Sequence, residues 1–281
     1  DLETAKKGMK LLYNKAFGRS NRGADNIERI VRDEIKASKQ PNFLFINYTE
    51  PHLPYTPPEE FAEKFTDNAS EKISANLEDH YETDKPEIYY EGFPNCTDQD
   101  LIDLYDAEIR YLDSKLEKLY QYLIEELDDL VFIVTSDHGE NFGEHGAYFH
   151  QCGIWEKSIR IPMIVAGDGV PDKEVDENFS LRNLKHLVQD DQLKTSETVF
   201  AEYSCWKELG DESDERKGKA QKFADNASRA AVQKNKGLVQ NSELPNFQFT
   251  PDQQCYSEQK HCFENQKELQ TKMNLILGER R

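Results

Sequence analysis

An α/β fold, with a mixed and mostly parallel sheet flanked by helices, follows from three features of the sequence. The run Val131-Phe132-Ile133-Val134-Thr135 is short, β-rich and almost wholly apolar, which predicts a strand buried on both faces. Directly before it, residues 98–127 carry apolar side chains at three- and four-residue steps, the mark of an amphipathic helix. A second short apolar run, residues 42–48, lies upstream and also ends in polar, turn-forming residues. Strand runs alternating with helical stretches predict crossover units in one layered domain.

The first strand ends abruptly in Ser136-Asp137-His138-Gly139-Glu140, followed by Gly143-Glu144-His145-Gly146. In open α/β sheets, ligands bind at the carboxyl edge of the strands. Asp137 and His138 are therefore candidate metal ligands, since an oxygen and a nitrogen donor together suit a divalent cation. A capped turn with solvated charges is the competing reading of an Asp-His pair. The repeated Gly-Glu-His-Gly is too polar and glycine-rich for core, and it favours a site. Gly139 is read as permitting a sharp exit from the strand.

The remaining elements follow from local pattern. From Asp25, the residues Ile27, Ile30, Val31 and Ile35 share one helical face, and Pro41 closes that stretch. Residues 42–48 read as a buried strand with Glu50-Pro51-His52 at its carboxyl end. That places His52 at the same sheet edge as Asp137 and His138; an ordinary loop histidine beside prolines is the alternative. Residues 59–65 read as a short helix. Thr97 and Asp100 form a capping-box signal ahead of a stripe of Leu101, Leu104, Tyr105, Ile109, Leu112, Leu116, Leu119, Leu123 and Leu127. Residues 161–166 predict a strand, 179–188 a short helix and 199–203 a strand. Residues 230–232 and 237–239 suit an antiparallel hairpin. Residues 209–227 read as a loop or solvated helix, and 263–277 as a terminal helix.

Three motifs, in order, resemble the sulfatase family of the alkaline phosphatase superfamily. They are residues 43–55 ending in Thr-Glu-Pro-His-Leu-Pro-Tyr, residues 104–113, and Thr-Ser-Asp-His-Gly-Glu followed by Gly-Glu-His-Gly and Trp-Glu-Lys-Ser-Ile-Arg-Ile-Pro. The resemblance is clear from about Gly23 to Ala166. It implies a sulfatase-like α/β catalytic domain over residues 1–195 and a smaller C-terminal α+β subdomain over residues 196–281. It implies a divalent metal at Asp137 and His138, Ca²⁺ first, with Mg²⁺, Mn²⁺ or Zn²⁺ as alternatives. It gives His52 and His150 catalytic and substrate-binding roles at the sulfate group. Some members carry a Lys-His pair near His150, where Gln151 and Cys152 stand in this chain.

Composition bounds the partners. The 281 residues carry a formal charge of −19, which repels nucleic acid and anionic membrane surfaces. The substrate implied by the resemblance, a small-molecule or glycan sulfate ester, is anionic too and needs a locally positive site. The acid excess also suits a halophilic origin. Five cysteines without a Cys-x-x-Cys point to free thiols. No apolar run reaches the ~18 residues of a membrane span. The opening Asp1-Leu2-Glu3-Thr4 lacks the apolar stretch of a leader, which favours a cytoplasmic protein if Asp1 lies near the native start. Composition leaves the oligomeric state open.

Sulfatases use a formylglycine made from Cys or Ser in Cys/Ser-x-Pro-x-Arg, and no residue here has that context. Nothing before Phe43 resembles the family's first metal-binding strand either. The reading is a sulfatase portion lacking its N-terminal nucleophile segment, inactive alone. A phosphomonoester or phosphodiester hydrolase of the same superfamily and a non-catalytic sulfatase-like binding protein are the alternatives.

Overall fold

The computed structural model describes residues 23–37, 43–66, 77, 88, 92–150, 153–190, 192–203, 228–233, 236–241, 247–250 and 253–257. The expected helix over 263–277 and the charged stretch 209–227 lie outside them. The chain forms two compact units. One comprises Asp1–Lys85, Phe93–Phe132 and Ala166–Gly169; the other comprises Pro86–Gly92, Ile133–Val165 and Val170–Arg281.

The first unit is built on helices α1 (Ala24–Ala37), α2 (Glu59–Ala62) and α3 (Asp98–Glu126). The expected capping box starts α3. The Asp100 main-chain N–H donates to Thr97 Oγ1 at 3.2 Å, and the Thr97 N–H donates to Asp100 Oδ2 at 2.7 Å. The box satisfies helix-start donors that would otherwise be left without partners. Leu119, Tyr122 and Leu123 of α3 join Val31, Ile35 and Leu130 in one buried cluster, against which Ile27, Ile46 and Phe132 pack. The buried face of α3 departs from the expected stripe: Ala107, Glu108 and Tyr111 are inside, and Ile109 is 43% exposed. Leucine spacing alone overlooked the small and aromatic residues that pack there. Cys96, just before the helix, is a free thiol. Burial first, then the Asp100 and Asp98 carboxylates, push its pKa up to about 12.

Two buried glutamates pin the segment between α1 and α2. Glu50 Oε1 accepts from the Ala24 N–H at 2.9 Å and so caps α1 from outside the helix. Glu108 Oε1 accepts from the Thr56 N–H at 2.7 Å. Residues 43–49 are not the expected buried strand. Among the described residues they pair with no ladder, and Phe43 and Phe45 are 73% and 82% exposed. An apolar run is buried as a strand only where a neighbouring strand takes up its backbone groups.

The strands are β1 (Val131–Thr135), β2 (Asn141–Phe142), β3 (Tyr148–Phe149) and, after the four-residue helix α4 (Glu156–Ile159), β4 (Met163–Gly167). β1 is hydrogen-bonded to β4, its one ladder neighbour among the described residues. It is accordingly not buried on both faces, and Val131 is 48% exposed. β5 (Asn178–Phe179) pairs with β6 (Thr195–Ser196) in antiparallel fashion. Between them a 3₁₀ turn, Leu181–Asn183, runs into helix α5 (Leu184–Asp190), shifting the expected 179–188 helix toward its C-terminus.

The second unit closes with an antiparallel meander of β7 (Thr198–Tyr203), β8 (Ser228–Gln233), β9 (Lys236–Asn241), β10 (Phe247–Thr250) and β11 (Gln253–Ser257). The expected hairpin is present, with Gln233 opposite Lys236 and Ala230 opposite Val239. No helix among the described residues is long and apolar enough to cross a membrane. Thr97→Ala removes the capping hydroxyl of α3 and is expected to cost about 1 kcal/mol in urea denaturation, with Thr97→Ser near wild type; equal stability of all three proteins would contradict the cap's role.

Candidate functional site

The second unit carries the Asp-His motif just past the end of β1. Thr135 Oγ1 donates to the Pro162 carbonyl at 2.9 Å, fixing that strand end beside the approach to β4. The chain then passes through Ser136, Asp137 and His138 to Gly139, whose N–H donates to the Ser158 carbonyl at 2.8 Å. A Cβ on Gly139 would lie 1.9 Å from the Lys157 carbonyl oxygen. The glycine is needed for this backbone-on-backbone approach, not for the sharp exit expected of it.

His138 is held in one tautomer. Its Nδ1 lies 2.9 Å from the Gly139 carbonyl oxygen, which only accepts, so Nδ1 carries the proton. Nε2 is then the nitrogen with the lone pair, 3.8 Å from Asp137 Oδ1. Two donors that far apart reach a single cation when each bond is about 2.0–2.4 Å long. The Asp137 carboxylate is 88% exposed and open to such an ion.

β2 and β3 form a tight antiparallel hairpin, with Asn141 opposite Phe149 and Phe142 opposite Tyr148. Gly143 (φ 97°) and Gly146 (φ 73°) take left-handed conformations in the connecting loop. The hairpin returns the chain to its start and places His150 against His138. The two imidazoles stack with centroids 3.8 Å apart and planes 25° from parallel. Glu140, buried at 5% side-chain exposure, sets its Oε1 2.9 Å from His150 Nδ1. Donor atoms of His138, Glu140 and His150 all lie within 4.8 Å of one another.

Asn141 holds this arrangement together. Fully buried, its amide Nδ2 donates to the Phe149 carbonyl and, at 2.6 Å, to Ser158 Oγ. His52 belongs to the first unit. Its N–H donates to the Thr49 carbonyl at 3.1 Å, and its Nδ1 lies 2.7 Å from the Leu53 carbonyl oxygen. The proton is again on Nδ1, which leaves Nε2 as the acceptor or ligand nitrogen.

A family model described as Sulfatase matches residues 9–189, which include Asp137, His138, His150 and His52. The chain belongs to the sulfatase family. Choline-sulfatase of Rhizobium meliloti (strain 1021) is 29% identical over 153 residues, covering 50% of this chain and 30% of that protein. Phosphoethanolamine transferase EptA of Escherichia coli O157:H7 is 37% identical over 109 residues, or 36% of this chain and 20% of that one. The crystal structure of a phosphonate monoester hydrolase of Agrobacterium radiobacter superposes with a TM-score of 0.55 at 18% identity, covering 90% of this chain and 58% of that one. This likeness shows a shared mixed α/β fold. The chain spans about a third of the length of the curated sulfatases it matches.

Within this sulfatase-family chain, sequence reasoning missed Glu140, Asn141 and Ser158. Glu140 had a signal, the fourth residue of Asp-His-Gly-Glu, whereas an asparagine in a polar loop gives no hint of complete burial. Gly139→Ala is expected to lower stability by about 2–3 kcal/mol in chemical denaturation, because the added methyl meets backbone rather than a movable side chain. Wild-type stability of that variant would contradict the close approach.

Proposed function

We propose that the protein is a metal-dependent sulfuric ester hydrolase acting on a small-molecule or glycan sulfate ester. The observation that carries the reading is the pairing of His138 and His150 beside Asp137 in a chain of the sulfatase family. Asp137 Oδ1 and His138 Nε2 are the proposed ligands of a divalent cation. Their mixed oxygen and nitrogen donors fit such an ion, and Ca²⁺ is the one the family resemblance implies. Calcium takes six or more oxygens, so the rest of its ligands are proposed to come from beyond these two residues. Mg²⁺, Mn²⁺ and Zn²⁺ are the ions to compare. When bound, the ion withdraws charge from the ester oxygens.

The protein's own groups supply the rest. His150 is proposed to present Nε2 to the sulfuryl oxygens or to protonate the leaving alcohol, and the family resemblance implies the same kind of role for His52. The nucleophile is proposed to come from outside this sequence, since no Cys or Ser here has the Cys/Ser-x-Pro-x-Arg context. The proposed domain division places the catalytic residues in 1–195 and a smaller subdomain in 196–281. Phosphate or phosphonate ester hydrolysis is the second reading. It is favoured by the likeness to the phosphoethanolamine transferase and the phosphonate monoester hydrolase.

The test uses the protein purified from its own cells, its intact mass, and its turnover of aryl sulfate, phosphate and phosphonate esters. Sulfate esters are expected to be preferred, with activity abolished by EDTA and restored by one of the four ions. His150→Ala is expected to lower kcat/KM about 10²–10⁴-fold. Faster turnover of phosphonate or phosphate esters, or indifference to EDTA, would overturn the proposal.

A further inference from the structure

Glu140 is the least exposed ionisable group in the His138, Glu140 and His150 cluster, and the reading of His150 as a substrate-binding residue gives it no role. A carboxylate buried to 5% exposure needs a donor, and His150 Nδ1 lies at hydrogen-bond distance, 2.9 Å. That contact has a proton between oxygen and the nitrogen of His150, so Nδ1 is the donor and Nε2 is the nitrogen that carries the lone pair. The ring's face is fixed independently by the stack on His138. A ring held at one edge by a carboxylate and on one face by a second ring has little rotational freedom.

We infer that Glu140 is a positioning residue, which locks His150 in the Nδ1-protonated tautomer with Nε2 aimed at substrate, and that it is not itself a metal ligand. The inference rests on the proposed role of His150. Two features separate the positioning role from a ligand role. Glu140 Oε1 lies against His150 Nδ1 in a side chain that is only 5% exposed, whereas the Asp137 carboxylate is 88% exposed and reachable by an ion. The pair Asp137 Oδ1 and His138 Nε2, 3.8 Å apart, already provides two donors for one cation. Carboxylates that orient an active imidazole through its second nitrogen typically contribute 10–100-fold when removed.

Three measurements on the full-length protein test this, using Glu140→Ala, Glu140→Gln, His150→Ala and the Glu140→Ala/His150→Ala double variant. The first is ¹⁵N NMR of histidine-labelled protein, with the His150 signals identified by their loss in His150→Ala. Wild type and Glu140→Gln, which keeps an acceptor oxygen, are expected to show the proton on Nδ1. Glu140→Ala is expected to lose that preference while His138 keeps its own. An unchanged His150 tautomer in Glu140→Ala would overturn the inference. The second is calorimetric titration with Mn²⁺. Affinity within about 3-fold of wild type in Glu140→Ala is expected, and a loss of about 10²-fold or more would make Glu140 a ligand and overturn it. The third is ester hydrolysis. Glu140→Ala is expected to lower kcat/KM about 10–100-fold in the wild-type background and less than about 2-fold in the His150→Ala background. Equal losses in both backgrounds would overturn the inference. If no variant, wild type included, hydrolyses any ester, the proposed function fails, and the NMR and titration results still decide the role of Glu140.

Discussion

The Asn141 side chain is the constraint from which the geometry of the site follows. It is fully buried between β2, β3 and α4, and its two amide protons go to the Phe149 carbonyl and to Ser158 Oγ. Phe149 has φ 61°, a left-handed conformation that a bulky residue adopts only under constraint, at a cost of order 1–3 kcal/mol. The Asn141 hydrogen bond to the Phe149 carbonyl and the burial of the Phe149 ring offset that cost. His150 is the next residue, so the turn held there decides where its imidazole goes. On the other side, Ser158 ties the hairpin to the segment whose carbonyls accept Gly139. One amide thus links the Asp-His segment, the returning strand and the helix after it.

The proposed function sets an anionic ester against an acidic protein. The formal charge of −19 disfavours any anion at long range. On the proposed reading the compensation is local, in two stacked imidazoles and a cation held beside Asp137. Such groups stabilise charge on any tetrahedral oxyanion.

Much of this was legible in sequence where a local rule applied. The capping box at Thr97, the helical periods of α1 and α3, and the β8–β9 hairpin are patterns set by neighbours a few residues apart. The Asp-His pair stood out as a candidate because its polarity contradicts an apolar strand. What could not be read depends on distant partners. Residues 43–49 look like a buried strand and remain exposed without a ladder among the described residues. Val131 looks like core and lies half-exposed. Gly139 was read for its freedom of φ, while its real constraint is a carbonyl eighteen positions along the chain. Glu140 and Asn141 are ordinary loop residues by composition, and only the folded hairpin reveals them as buried anchors.

The account is tested most directly by amide hydrogen exchange over residues 137–160 in wild type and in Asn141→Leu, a variant close in volume that lacks both donors. It predicts strong protection of the 141–150 hairpin in wild type. In the variant that protection is lost locally, while α3 keeps its own. Wild-type protection of the hairpin in Asn141→Leu would contradict the claim that this one amide holds the site.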